Sequence, residues 1–319
     1  MNYRRLGTTG LKVSEISLGA WVTFGGQIKD NTAHHLVKLA FDQGINFFDC
    51  ADTYENGAAE KVLGEAIKDI PRNELVISSK VFFPTMQGPN GRGLSRKHIT
   101  ESIDRTLKNL NLDYVDIYYC HRFDPETPVE ETVRMMDDLI HRGKILYWGT
   151  SEWTPAQITE AYGLARQYGL VPPSVDQPQY SLIHRRRVEE QLMPAVKKLG
   201  IGLTTFSPLA SGVLTGKYNN GIPEGARASM EGYSWMKDRL TEEALQPVRA
   251  FTAYAEELSI APAHLAIAWL LRRDEVSSVI TGATSTSQLE SNLKADEYVG
   301  KLDEAIYIRL DEIFAGVEH

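Results

Sequence analysis

The chain repeats one alternation. Short apolar or β-branched runs fall at 15–18, 46–48, 75–79, 115–119, 145–148, 174–176, 202–205 and 276–281, and a segment of helical periodicity follows each. Strands alternating with helices require right-handed crossovers and a parallel sheet. Runs this apolar are buried on both faces, and eight of them fit a closed α/β (β/α)8 TIM barrel. An open doubly wound sheet is the competing topology, but its first strand normally leads through a glycine-rich turn into a helix. Here Leu18-Gly19-Ala20-Trp21-Val22-Thr23-Phe24-Gly25-Gly26 has no such fingerprint, and neither a P-loop nor zinc-ligand spacing occurs. The expectation is one barrel domain over 1–319 with three additions. Residues 3–13, turning at Thr8-Thr9-Gly10, read as a β-hairpin. A Gly-, Pro- and Ser-rich connection from Pro208 to about Leu240 is long enough for a lid or binding loop. Residues 302–314 read as an extra amphipathic helix.

Local signals support the helices. Thr127-Pro128-Val129-Glu130 and Thr154-Pro155-Ala156-Gln157 each have the pattern of a capping box with proline at the first helical position. Ile99, Ile103, Leu107 and Leu110 share one helical face, as do Val188, Leu192, Val196 and Leu199.

Composition narrows the setting. Two cysteines, Cys50 and Cys120, are too few for a disulfide framework and point to a reducing, cytoplasmic compartment. The N-terminal residues have no signal-peptide core, and no apolar run reaches membrane-spanning length. A net charge of −8 argues against a nucleic-acid surface. The basic cluster from His184 to Arg187 is followed at once by acids and reads as a solvated helix start.

Barrel active sites are built at the carboxyl ends of the strands. The second strand ends at Asp49 with Tyr54 in its loop, the third at Lys80 and the fourth at His121. Singly each has a structural explanation; together they are chemically compatible. A lysine paired with an acid stays charged when buried, and its ammonium is expected to lower the pKa of a nearby phenol. Such a tyrosine is a general acid for an oxygen gaining negative charge, with histidine donating a second hydrogen bond. The implied chemistry is carbonyl reduction, whose hydride must come from a cofactor. Ser151 and Gln177 suit a carboxamide, and Phe206 suits a flat ring. The run Ser207, Pro208, Leu209, Ala210, Ser211, Gly212 offers backbone N–H groups to a pyrophosphate. Lys217 and Arg227 are either phosphate partners or solvated loop charges. Gly282-Ala283-Thr284-Ser285 leads into a helix carrying Gln288 and Asn292, a second anion site by its geometry.

These motifs, in this order, resemble the aldo-keto reductase family over essentially the whole chain: Asp49-x4-Tyr54 with Gly57-x2-Glu60, Lys80, Tyr118-Tyr119-Cys120-His121, Gly149-Thr150-Ser151, Asp176-Gln177, Phe206-Ser207-Pro208-Leu209 and Gly282-Ala283-Thr284. The resemblance implies an Asp49–Tyr54–Lys80–His121 tetrad with tyrosine as proton donor, and NADP(H) laid across the barrel mouth. Within the family, residues 19–27, Gln179-Tyr180, Gly221-Ile222-Pro223, Arg227-Ala228-Ser229 and Ala266-Ile267-Ala268-Trp269 resemble the β subunits of voltage-gated potassium channels and their bacterial relatives. That likeness adds Trp21 and Gln27, with Asp49, to the cofactor contacts. It makes Lys217, Arg227, Gln288 and Asn292 nucleotide ligands, and favours a homotetramer and a possible membrane channel partner.

Three departures accompany it. His121 stands where those subunits carry Asn, which favours reduction of small carbonyl substrates. Glu152 stands where they carry Arg, and its carboxylate either accepts from a carboxamide or points to solvent. The hairpin begins at residue 3, so a tethered inactivation peptide is not expected. A regulatory subunit whose nucleotide reports redox state is the alternative function. Cys50 and Cys120 adjoin the tetrad; strand alternation turns them into packing, against a redox gate.

Overall fold

The computed structural model describes residues 1–317 except Val22, Lys29 and Glu231; Val22, within the 19–27 stretch singled out above, therefore lies outside the described residues. A hairpin of β1 (Tyr3–Arg5) and β2 (Lys12–Ser14) precedes the barrel strands. These are β3 (Ile16–Gly19), β4 (Phe47–Asp49), β5 (Val76–Val81), β6 (Val115–Cys120), β7 (Ile145–Ser151), β8 (Val175–Gln177), β9 (Gly202–Thr205) and β10 (Val276–Thr281). Each pairs in parallel with the next, and β10 closes on β3. The barrel is the fold that the alternation demands, with every expected strand present within a few residues.

Around it run α1 (Asp30–Asp42), α2 (Ala58–Ile67), α3 (Arg96–Leu110), α4 (Val129–His141), α5 (Pro155–Tyr168) and α6 (Met193–Leu199). The long connection after β9 holds short turns and α7 (Trp235–Arg239), then α8 (Glu242–Glu257) and α9 (Pro262–Leu270). Helix α10 (Thr286–Leu293) follows β10, and α11 (Glu304–Ile313) is the extra C-terminal helix.

Period-two alternation sorts the strand residues into two layers. Phe47, Val76 and Ile117 point into the barrel and pack with Leu6 and Val13 of the hairpin, which plugs the bottom. Phe48, Ile77, Tyr118, Cys50 and Cys120 point outward into the strand–helix core. The cysteines therefore face packing, as expected, and burial pushes both thiols up from their ordinary range.

Helix α2, which follows the Tyr54 loop, buries Ala59, Val62, Leu63 and Ile67. It lies so close to the end of α3 that a Cβ on Gly64 would meet the Leu110 carbonyl at 2.6 Å. The Thr154 capping box forms as its spacing predicts. The one expected at Thr127 does not: Pro128 is the N-cap, and the Thr127 hydroxyl donates to Asp124 at 2.8 Å. Nor is the 184–190 cluster a solvated helix start. Arg185 and Glu189 are half-buried in a network with Arg272 and with Asp311 of α11. Among the described residues no helix is long and apolar enough to cross a membrane.

Candidate active site

Strand alternation places Asp49 and Lys80 inside the barrel, just below its upper rim. Lys80 is wholly buried, and its ammonium donates to Asp49 Oδ2 at 2.6 Å, to the Cys50 carbonyl at 2.6 Å and to the Tyr54 hydroxyl at 3.1 Å. Burial pulls the ammonium down, but Asp49 and Tyr54 outweigh it and the group stays above its ordinary value. Asp49 also accepts at Oδ1 from Ser78 (2.7 Å) and from the Gln177 amide (3.0 Å), so both carboxylate oxygens are satisfied. Serine 78 was not singled out from the sequence; its inward register beside Asp49 was the available signal.

Tyr54 sits in a tight turn, because Glu55, Asn56 and Gly57 take left-handed φ values of 47°, 52° and 87° in succession. Its ring meets His121 edge-on at 5.9 Å. The expected depression of the phenol is not what the site shows: desolvation exceeds the pull of Lys80, and the pKa is pushed up to about 12. The hydroxyl therefore keeps its proton at neutral pH, as a general acid must. His121, also buried, is held well below the usual histidine range by desolvation and by the charges of Lys80 and Arg122. It is a neutral imidazole, capable of donating one hydrogen bond.

A second polar layer lies behind α2. Glu60, fully buried, accepts from Ser79, Thr106 and Asn109. Nearby Asp52 is pushed up to about 8 by burial and by Glu60, with Arg105 at 3.5 Å opposing. From the sequence Glu60 is legible only as a motif position, and Asp52 carries no signal.

Above the tetrad opens a cavity of about 1050 Å³. Every expected cofactor residue borders it except Ala210, which packs against the core beside it. Lys80 lies buried behind Asp49 and Tyr54, which border the cavity. Ser151 donates to the Gln177 carbonyl at 2.9 Å, so the two expected carboxamide ligands are linked to each other. Glu152 borders the cavity and does not simply point to solvent: Oε1 accepts from the Gln179 backbone at 2.6 Å and Oε2 pairs with Arg187 at 3.3 Å.

The far side of the cavity carries anion-binding features. Ser207, Ala210, Ser211 and Gly212 have φ values of 55°, 47°, 59° and 91°, a run of left-handed residues that concentrates backbone N–H groups. Burial and mutual repulsion depress Lys217, and burial depresses Arg227; neither has a carboxylate partner among the described residues. Arg227 lies over Trp21 and Tyr233. Ser285 caps α10, while Gln288 holds Thr284 and Asn292 holds the Gly282 carbonyl. Gln27 has a buried Oε1 with no partner among the described residues.

A fold and site of this kind define a reductase scaffold, and the chain belongs to the aldo/keto reductase family, whose family model matches residues 15–314. Among its relatives is a probable voltage-gated potassium channel subunit beta of Arabidopsis thaliana, 48% identical over 98% of this chain and 96% of that protein. A protein of the same description from Oryza sativa subsp. japonica is 47% identical over the same shares.

Proposed function

We propose that this protein is a cytoplasmic NADPH-dependent reductase of aldehydes and ketones, with residues 1–319 acting as one catalytic unit. The observation that carries the reading is Lys80 bridging Asp49 and the Tyr54 hydroxyl, with neutral His121 alongside. In this reading the carbonyl oxygen rests between the Tyr54 hydroxyl and the His121 imidazole. As the oxygen gains charge, Tyr54 yields its proton, and Lys80 stabilises the phenolate that remains. Asp49 holds Lys80 charged throughout. A bound nicotinamide supplies the hydride.

The cavity suits a phosphorylated dinucleotide. Lys217 and Arg227, unpaired by acids, fit a 2′-phosphate, the left-handed run at 207–212 fits a pyrophosphate, and Trp21, Gln27, Gln288 and Asn292 border the remainder. Arg227→Met is expected to weaken NADPH at least tenfold while leaving NADH nearly unchanged, measured by fluorescence titration. Tyr54→Phe is expected to lower kcat at least a hundredfold with NADPH affinity held within threefold. Turnover retained in that variant overturns the proton-donor assignment.

The relatives' description as potassium channel β subunits motivates a second reading, a homotetrameric subunit that reports its nucleotide to a channel. Slow turnover with tightly retained nucleotide, and co-purification with a membrane channel, would favour it.

A further inference from the structure

Cations taken out of water need a countercharge. Among the described residues, the partly buried arginines and lysines are paired with acids: Arg4 with Glu15, Arg72 with Asp116, Arg105 with Asp52, Arg185 and Arg272 with Glu189, Arg187 with Glu152. Arg122, Lys217 and Arg227 have no such partner, and all three border the cavity above the tetrad. Lys217 and Arg227 belong to the proposed phosphate end. Arg122 does not.

Arg122 follows His121 directly. One terminal nitrogen donates to the His121 carbonyl and, at 3.3 Å, to the Ser151 hydroxyl, while its Nε and second terminal nitrogen make no hydrogen bond to the described residues. The guanidinium lies 5.6 Å from the Phe83 ring, and that ring meets His121 at 4.9 Å. Asp176, a carboxyl near enough to feel its field, forms no ion pair with it, and burial pushes that carboxyl up to about 8. A planar fork of free donors thus stands beside the residue that would meet the carbonyl, with an aromatic wall between.

We propose that Arg122 selects substrates that carry a carboxylate in addition to the carbonyl. The carboxylate takes the free edge of the guanidinium while the intervening carbon skeleton rests on Phe83. Bidentate pairing of this geometry is what arginine provides and lysine does not. The proposal rests on the reductase reading and deepens it.

The test compares 4-formylbenzoate with 4-formylbenzamide, near-isosteres that differ in charge. The wild-type enzyme is expected to favour the carboxylate at least tenfold in kcat/KM, mostly through KM. In Arg122→Gln that ratio should fall to near one, and in Arg122→Lys to an intermediate value. A wild-type ratio near one overturns the proposal, as does a glutamine variant that loses both substrates equally. So does a loss of NADPH affinity in Arg122→Gln matching that of Arg227→Met, which would assign Arg122 to the nucleotide. Binding of benzoate against benzamide to the NADPH-loaded protein, read by tryptophan fluorescence, separates the two claims. Preference for benzoate without turnover of either aldehyde would sink the reductase reading and keep this one; equal binding would sink this one.

Discussion

Lys80 is costly to bury and costly to remove. Replacing it with Met leaves the buried Asp49 carboxylate without its cation, at roughly 3–5 kcal/mol by the usual penalty for breaking a buried pair. The double variant Asp49→Asn/Lys80→Met removes both charges and is expected to recover most of that stability in urea denaturation. Aldehyde reduction should not return with it, because the phenolate of Tyr54 would lack its cation. Recovery of both would show that the pair serves the fold alone.

The two proton-bearing groups at the site also bound its pH response. His121 is held neutral from well below its ordinary 6.5, and Tyr54 stays protonated until about pH 12. Between pH 6.5 and 9, kcat/KM for an uncharged aldehyde should therefore be nearly flat. An acid limb near 6.5 would mean that His121 titrates normally and faces water.

At the scale of elements, α2 and the turn before it determine where Tyr54 sits. Gly64→Ala would drive a methyl group into the Leu110 carbonyl. A cost of about 1–3 kcal/mol is expected from overpacking at this crossing, with kcat falling as the turn shifts; an unchanged denaturation midpoint would contradict the close packing. The Asp52 pocket beneath the same helix yields a pH prediction. In the folded protein Asp52 keeps its proton to about pH 8, whereas its ordinary carboxyl value is 3.8. The folded state binds more protons across that window, so stability contributed here is present at low pH and lost as pH rises through it. In Asp52→Asn the loss disappears: its melting temperature should gain on wild type steadily from pH 4.5 to 8, ending higher by roughly 2 °C or more. Parallel curves would refute it.

Helix and strand order was legible because periodicity and alternation depend only on which side chains are apolar. Asp49, Tyr54, Lys80 and His121 were legible because strand ends on a barrel are adjacent by construction. The remainder depended on facts that no spacing encodes. Whether desolvation or Lys80 wins at Tyr54 is a matter of burial, and the Glu152 carboxylate is held at the cavity wall because Gln179 and Arg187 lie within its reach. Arg122 lies two residues past the end of β6, and no spacing encodes that it lacks an acid partner where most other half-buried arginines have one. Thr127 failed as a cap because the helix starts one residue later, with Pro128 at the N-cap, while the Thr127 hydroxyl donates to Asp124.

The whole molecule closes on itself through its ends. Arg4, in the hairpin, pairs with Glu15 and donates to the carbonyls of Leu271, Arg273 and Val276, where α9 turns into β10. Arg4→Gln leaves those carbonyls and the buried Glu15 short of partners and is expected to cost about 2–3 kcal/mol, measured by chemical denaturation. KM values should not move, since the plug lies at the opposite end of the barrel from the cavity.

That closure also dictates an order of events as the chain is made. Strand β3 leaves the ribosome early, yet its neighbour on one side is β10, and the Ser278 hydroxyl reaches the Ser14 carbonyl across 264 residues. Throughout most of synthesis one edge of β3 has no partner. An open edge on an apolar strand invites pairing with other chains, and contacts this remote in sequence are slow to form. Newborn chains of this protein should therefore depend on being kept apart until the last strand arrives. Folding then ends with the barrel snapping shut, not with the gradual growth of a sheet.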